Sequence, residues 1–170
     1  METTVVDKAI LDDFAVSISK EFFDVATSGE AAIIEKIQHV EKYLNKLVDD
    51  GLAKAEEFKT EHRFAPKVYL REVHLPANVL VVGKIHKYEH LNFISKGRVS
   101  VLTKDGAEEY VAPITIISTA GTQRLLYTYE DTVWSVIHPN ETDTQDLEEI
   151  ESFNIAKSYD ELLLLDKKEG

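Results

Sequence analysis

The residues best suited to chemistry are histidines, and four of the six lie between residues 66 and 140, namely His74, His86, His90 and His138. The densest stretch runs from Gly83 to His90 and contains Lys84, His86 and Glu89. If Lys87-Tyr88 is the tip of a hairpin, His86 and His90 face each other across two strands, about 5 Å apart at Cβ. Lys84 then shares a face with His86, because alternate residues of a strand point the same way. The stretch therefore predicts a site that displays two imidazoles and one ammonium.

The elements that must position these residues are short β-strands. Apolar runs with a two-residue period alternate with turn signals such as Asp105-Gly106 and Ala112-Pro113. The predicted strands are 68–75, 79–85, 91–95, 99–103, 109–111, 114–118, 125–129 and 132–138. This pattern is typical of an antiparallel sandwich or barrel. Because no helical period interrupts the runs, a βαβ fold is excluded.

Helices are predicted on both sides of the strands. Helical spacing of apolar residues predicts one helix over 6–26 and a second over 31–47, with Ser28 as its N-cap and Gly51 at its end. The second helix carries a heptad seam from Ile33 to Leu47 that is expected to face other elements of the fold or a partner chain. Residues 52–64 are polar and are expected to join the helices to the strands.

The C-terminal part returns to a helical period. One short helix is predicted around Leu147 and Ile150, and a second over 159–165, for which Ser158 and Glu161 form a capping box. The predicted organisation is a helical extension over 1–65, a β domain over 66–140 and an acidic helical tail over 141–170.

Composition and charge exclude several classes of function. The 170 residues contain no cysteine, which excludes disulfides, thiol nucleophiles and iron–sulfur clusters. The formal net charge of −12 disfavours nucleic-acid partners, because a negative field repels phosphate. No apolar run approaches the roughly 20 residues that span a bilayer, and the amino terminus has no basic or apolar leader. The expected location is the cytoplasm, with no membrane partner.

The region around the histidines resembles the cupin superfamily. Its first motif, G-x5-H-x-H-x(3,4)-E-x6-G, aligns with the stretch that ends at Gly97, so that Lys84 and His86 take the two histidine positions and His90 takes the glutamate position. The second motif has a fainter counterpart, in which Gly121 matches its glycine and Arg124 takes its histidine position. The resemblance implies a mainly β fold, a cupin-like antiparallel jelly-roll barrel. The sequence also resembles small cupin-like proteins encoded by bacteriophages and prophages.

The departures from the cupin motifs bear on the ligand. Lysine and arginine at two ligand positions predict a cationic pocket that would bind a small polar or anionic molecule, which Arg124 could hold bidentately. The predicted ligand-binding residues are Lys84, His86, His90, Arg124, Trp134 and His138. A metal reading stays open, in which His86 and His90, with Glu89 or with His138 from a neighbouring strand, bind iron, manganese, nickel or zinc. In a regular strand, however, Glu89 and His90 point to opposite faces.

Three functions therefore compete. The first is a non-catalytic, phage-related protein that binds a small polar or anionic ligand in its barrel. The second is a metal-dependent cupin enzyme, an oxygenase or an isomerase, that uses His86 and His90. The third is a structural or host-interaction module with an inert barrel. Since the fold hosts many chemistries, it cannot choose among them. A homodimer is expected in each case.

Overall fold

The computed structural model describes residues 3–5, 29–51 and 54–169. Thirteen strands and three helices lie in these ranges. The strands are β1 (Thr3–Val5), β2 (Lys54–Glu56), β3 (Thr60–Ala65), β4 (Val68–Leu75), β5 (Leu80–Val82), β6 (Ile85–His86), β7 (His90–Lys96), β8 (Arg98–Thr103), β9 (Gly106–Val111), β10 (Ile114–Ser118), β11 (Leu125–Thr128), β12 (Thr132–Pro139) and β13 (Ile155–Ala156). The helices are α1 (Glu30–Asp49), α2 (Leu147–Asn154) and α3 (Tyr159–Glu169).

Two antiparallel sheets pack face to face and enclose the main core. One has the strand order β10-β7-β12-β4-β3, and the other has the order β5-β11-β8-β9. The core lies between them and draws Ile94, Trp134 and Val136 from the first sheet and Val101 and Leu126 from the second. Inward residues alternate with outward ones along each strand, which is the pattern that two packed sheets require. The predicted mainly β fold, an antiparallel jelly roll, is confirmed.

Helix α1 covers the outer face of the four-stranded sheet. Its heptad seam is buried, and the seam packs on apolar side chains of β5, β8 and β11, namely Leu80, Leu102 and Leu125. The predicted seam from Ile33 to Leu47 is therefore used within the chain, and it forms a second core. None of the described helices is both long and apolar enough to cross a membrane.

Several predicted boundaries differ from the structure. Residues 52–64 are not an irregular linker, because β2 and most of β3 lie there. β3 pairs with β4. β3 escapes the two-residue pattern because it is an edge strand whose last four residues are exposed. The N-cap of α1 is Gly29 and not Ser28, since the helix starts at Glu30. The helix predicted over 6–26 lies outside the described residues, and the three domain bounds stay predictions.

The C-terminal helices close one end of the barrel. Asp146 caps α2 by accepting hydrogen bonds from the backbone N–H groups of Glu148 and Glu149. Before α3, the Ser158 hydroxyl accepts from the N–H of Glu161, whose carboxylate accepts from the N–H of Lys157. The predicted capping box is therefore present in a modified form, in which the Glu161 carboxylate bonds to the N–H of Lys157 and not to that of Ser158. Between the two helices, β13 pairs with β6 and ties this end to the histidine-bearing segment.

Candidate ligand-binding site

Three buried histidines meet inside the barrel. His86 lies on β6, His90 on β7 and His138 on β12, and none is more than 9% exposed. The ring centroids of His86 and His90 are 4.1 Å apart, and His138 lies 5.2 Å from the first and 5.0 Å from the second. One ring nitrogen from each lies within 4.8 Å of the other two. The structure thus brings His138, a ligand-binding residue predicted from the sequence, to the pair that dominates the motif.

His86 reaches this cluster by a different route from the predicted hairpin. β6 does not pair with β7 but with β13, in a register that sets His86 opposite Ile155. The backbone of His86 also donates to the carbonyl of Thr122 at 3.0 Å and accepts from the N–H of Gly121 at 2.8 Å. The hairpin prediction is wrong, because the segment after β6 bends away before β7 begins. The two imidazoles meet nevertheless, since both side chains point into the barrel.

Arg124 enters the barrel just before β11 and bonds to the same cluster. Its side chain is buried, and Nη2 donates to His90 Nε2 at 3.0 Å, to Asn92 Oδ1 at 3.3 Å and to Ser118 Oγ. Its guanidinium carbon lies 5.6 Å from the ring centroid of Trp134, whose Nε1 donates to Asn92 Oδ1 at 3.0 Å. Every one of these partners is neutral. Among the described residues, no carboxylate pairs with this guanidinium.

Burial sets the charge of each member of the cluster. It lowers the pKa of His138 to about 3 and that of His90 to about 4, and it holds the pKa of His86 well below its ordinary value. The positive charge of Arg124 adds to the lowering at all three rings. Burial also lowers the pKa of Arg124 to about 10, which leaves it charged near neutral pH. The site therefore presents three neutral imidazoles beside one cation.

Hydrogen bonding assigns the proton of one of these rings. His90 Nδ1 lies 2.9 Å from the carbonyl oxygen of Tyr88, and because that oxygen can only accept, Nδ1 carries the proton. Nε2 is then the acceptor that Arg124 requires. His86 differs, since its Nδ1 is buried and has no hydrogen-bond partner among the described residues. A buried nitrogen without a partner is costly and marks a position that a ligand atom could satisfy.

A cavity of about 520 Å³ opens beside the cluster. His86, His138 and Arg124 are among its polar lining residues, and its walls are largely apolar, with Leu126 and Val136 among the residues that line them. This volume falls within the ~300–1,000 Å³ of small-molecule pockets, and a mostly apolar lining with a few convergent polar groups is typical of them.

Lys84 and Glu89 do not join the buried cluster. Lys84 lines the cavity, but its ammonium forms an ion pair with Glu151 of α2, and its side chain is 40% exposed. Glu89 is exposed on the segment between β6 and β7, and it is absent from the group of ligand atoms formed by His86, His90 and His138. The strand parity that sets Glu89 and His90 on opposite faces accounts for this placement.

The three imidazoles match a divalent ion in ligand type and spacing. An ion about 2.1 Å from each nitrogen sets neighbouring ring centroids roughly 5 Å apart, close to the observed 4.1 to 5.2 Å. All three rings are neutral, as metal ligands must be. However, the Nε2 lone pair of His90 accepts from Arg124. The residues therefore fit an ion once Arg124 has moved away from His90.

Three polar residues of the site escaped the sequence motif. Asn92 is fully buried and follows His90 on the inward face of β7, so that strand alternation could have identified it. Ser118 ends β10, where its hydroxyl accepts from Asn92 Nδ2 at 3.0 Å. Arg71 lines the cavity from β4. Nothing in the sequence distinguishes Arg71 from a surface arginine, because its strand carries charged residues on both faces.

No protein-family model matches the sequence, and no curated protein is significantly similar to it. Solved structures do resemble the fold. A cupin-2 domain protein from Shewanella frigidimarina is 10% identical with a TM-score of 0.42, and the match covers 50% of this chain and 83% of that one. A cupin-2 conserved barrel protein from Salinispora arenicola is also 10% identical with a TM-score of 0.43, covering 51% of this chain and 78% of that one.

An acetylacetone dioxygenase from Acinetobacter johnsonii shows the same kind of similarity. It is 14% identical with a TM-score of 0.41, and the match covers 47% of this chain and 58% of the dioxygenase, so this chain spans less than two thirds of that protein. Similarities at this level concern the barrel alone. Function must therefore be argued from the site.

Proposed function

We propose that the protein binds a small organic anion in the barrel cavity, with Arg124 as the counter-charge. The observation that carries this proposal is a buried guanidinium whose described hydrogen-bond partners are all neutral. A buried charge is stable only when it is paired, and leaving it unpaired costs several kcal/mol by the usual order of magnitude. A ligand carboxylate or phosphate would supply the missing partner.

The bonding of Arg124 leaves it free to take such a ligand. The hydrogen bonds to His90, Asn92 and Ser118 are all made by Nη2, so they hold the guanidinium in position, and we expect its other nitrogens to bind an acceptor of the ligand. The apolar wall beside it would receive the carbon skeleton of the ligand. His86 and His138 are neutral and would serve as hydrogen-bonding groups toward the same molecule.

The test is calorimetric titration of acetate, benzoate and inorganic phosphate at constant ionic strength. We expect at least one to bind the wild-type protein and to lose at least tenfold in affinity in Arg124→Gln, since a charge-assisted hydrogen bond contributes about 1.5 to 3 kcal/mol. Arg98→Gln is the matched control, because Arg98 lies exposed on β8 in an ion pair with Glu109. Equal affinities in the wild type and Arg124→Gln would contradict the proposal.

A second candidate function rests on the three-histidine group. His86, His90 and His138 would hold a divalent ion, which would supply Lewis acidity to an enzyme of the cupin type. The two candidates predict opposite effects of one substitution. Arg124→Gln removes a cation and releases His90 Nε2, so it should strengthen zinc or manganese binding while it weakens anion binding. Metal titrations of wild-type and Arg124→Gln protein therefore discriminate between them, with His138→Asn as the variant that should lose the ion.

The remaining candidate function is a structural or host-interaction module with an inert barrel. It gains support if neither anions nor divalent ions bind the purified protein. The phage-related origin and the homodimer stay predictions, and the cytoplasmic location likewise.

A further inference from the structure

A second guanidinium that forms no ion pair within the described part of the chain lines the same cavity. Arg71 lies on β4, opposite His62 of β3 and Val136 of β12, and both of these neighbours also line the cavity. The Nε atom of Arg71 is buried and has no hydrogen-bond partner among the described residues. Arg71 also forms no ion pair with any described residue. Arg63 on the next strand, by contrast, pairs with two glutamates.

The two guanidiniums approach the cavity from different sheets. Arg71 belongs to the five-stranded sheet, whereas Arg124 leads into β11 of the four-stranded sheet. Both positive charges act on His86 and His138, and they lower the pKa of each ring in addition to the effect of burial. The neutral imidazoles thus lie within the field of both cations, and no described carboxylate lies between them in that cluster.

The carboxylates around this cavity do not neutralise the two cations. Glu151 acts on Arg71 through its charge, but its oxygen is bonded to the Lys84 ammonium. Glu57 and Glu148 also line the cavity, and both are exposed to solvent. Charges at an exposed rim are screened by water, whereas charges in a buried pocket are not. The interior is therefore positive behind an acidic rim.

We propose that the ligand carries two acidic groups, one bound by Arg124 and the other by Arg71, joined by an apolar segment that lies along the wall formed by Val73, Leu126 and Val136. This inference rests on the proposed anion-binding function and narrows it to dianions such as dicarboxylates. Guanidinium is suited to the task because its planar array of donors binds a carboxylate bidentately. Two such contacts at opposite ends also fix the length of the ligand.

The experiment compares dicarboxylates with monocarboxylates of the same carbon number. Calorimetric titrations at constant ionic strength and pH 7.5 use malonate, succinate, glutarate and adipate, each against its monoacid (propionate, butyrate, valerate, hexanoate). For the diacid of matching length, we expect at least tenfold tighter binding than for its monoacid. Arg71→Gln should remove that preference and leave monoacid binding unchanged, whereas Arg124→Gln should weaken both.

Arg63→Gln is the matched control, since Arg63 lies half-exposed on neighbouring β3 and should leave both affinities unchanged. Circular dichroism checks that each variant is folded. If monoacids bind through Arg124 and no diacid binds more tightly, the dianion inference is refuted while the proposed function survives. The same holds if Arg71→Gln weakens monoacids and diacids alike. If no acid of either series binds, both are refuted.

Discussion

Acidification from pH 7.5 to 5.5 should weaken the fold, because its central histidines are buried without protons. His90 and His138 have folded pKa values of about 4 and about 3, against an ordinary value of 6.5. As the pH falls through 6.5, these two histidines become protonated in the unfolded chain but stay neutral in the folded chain. The lowered folded pKa therefore contributes stability that is present above 6.5 and is lost as the pH falls toward 4.

The size of the effect follows from linkage. Because both folded pKa values lie well below 5.5, the unfolded pKa of 6.5 determines the loss over this interval, which is about 1.35 kcal/mol for each histidine. The two together give about 2.7 kcal/mol, and His86, shifted in the same direction, adds to it. The interval stays above the sequence pI of about 4.9 and above the ordinary pKa of carboxylates.

The assay is urea unfolding at the two pH values in the presence of EDTA, followed by circular dichroism. His138→Asn should reduce the pH dependence by about 1.35 kcal/mol, since one buried neutral ring is gone. His39→Gln should leave it unchanged, because His39 is exposed on α1. A free energy of unfolding that is equal at pH 7.5 and 5.5, or higher at 5.5, would refute the assignment of neutral buried imidazoles.

Three further substitutions test the scaffold, each by urea unfolding. Gly97→Ala should lower the free energy of unfolding by about 1 to 3 kcal/mol from backbone strain alone, since φ is +101° at this residue. An added Cβ would also lie 2.4 Å from Thr132 Oγ1. An unchanged urea midpoint would contradict this turn. Ile37→Ala should cost about 2 to 5 kcal/mol because Ile37 of α1 is fully buried in the core between the helix and the four-stranded sheet, and a loss below 1 kcal/mol would mean that α1 is not docked. Asp146→Ala should cost about 1 kcal/mol through the lost cap of α2, which an unaltered stability would disprove.

The strands were predictable because two-residue alternation survives wherever one face of a sheet is buried. Strands β4 and β10 lie at their predicted bounds, and the seam of α1 is buried residue by residue as predicted. β3 was missed because its last four residues are all exposed, so that no buried face imposes alternation there. The short pairing of β6 with β13 was missed because it joins segments almost 70 residues apart, for which local sequence carries no signal.

The site was predictable in its inward-pointing residues and not in its partners. His86, His90 and Arg124 meet as the motif suggests, because each precedes or lies on a strand whose side chains alternate. Lys84 is a cation at a ligand position of the motif, as Arg124 is. It pairs, however, with Glu151 of α2, a helix outside the motif. The pairing of Lys84 depends on tertiary packing, which residue spacing does not encode.

Trp134 offers the most direct test of the central claim, that a charged guanidinium inside the barrel attracts anions. It is the one tryptophan of the sequence, it lines the cavity, and its ring lies 5.6 Å from the guanidinium carbon of Arg124. Quenching of its fluorescence by iodide, an anion, should fall several-fold in Arg124→Gln, while quenching by neutral acrylamide should not change. If iodide quenches the wild type and Arg124→Gln equally, the barrel does not attract anions through Arg124.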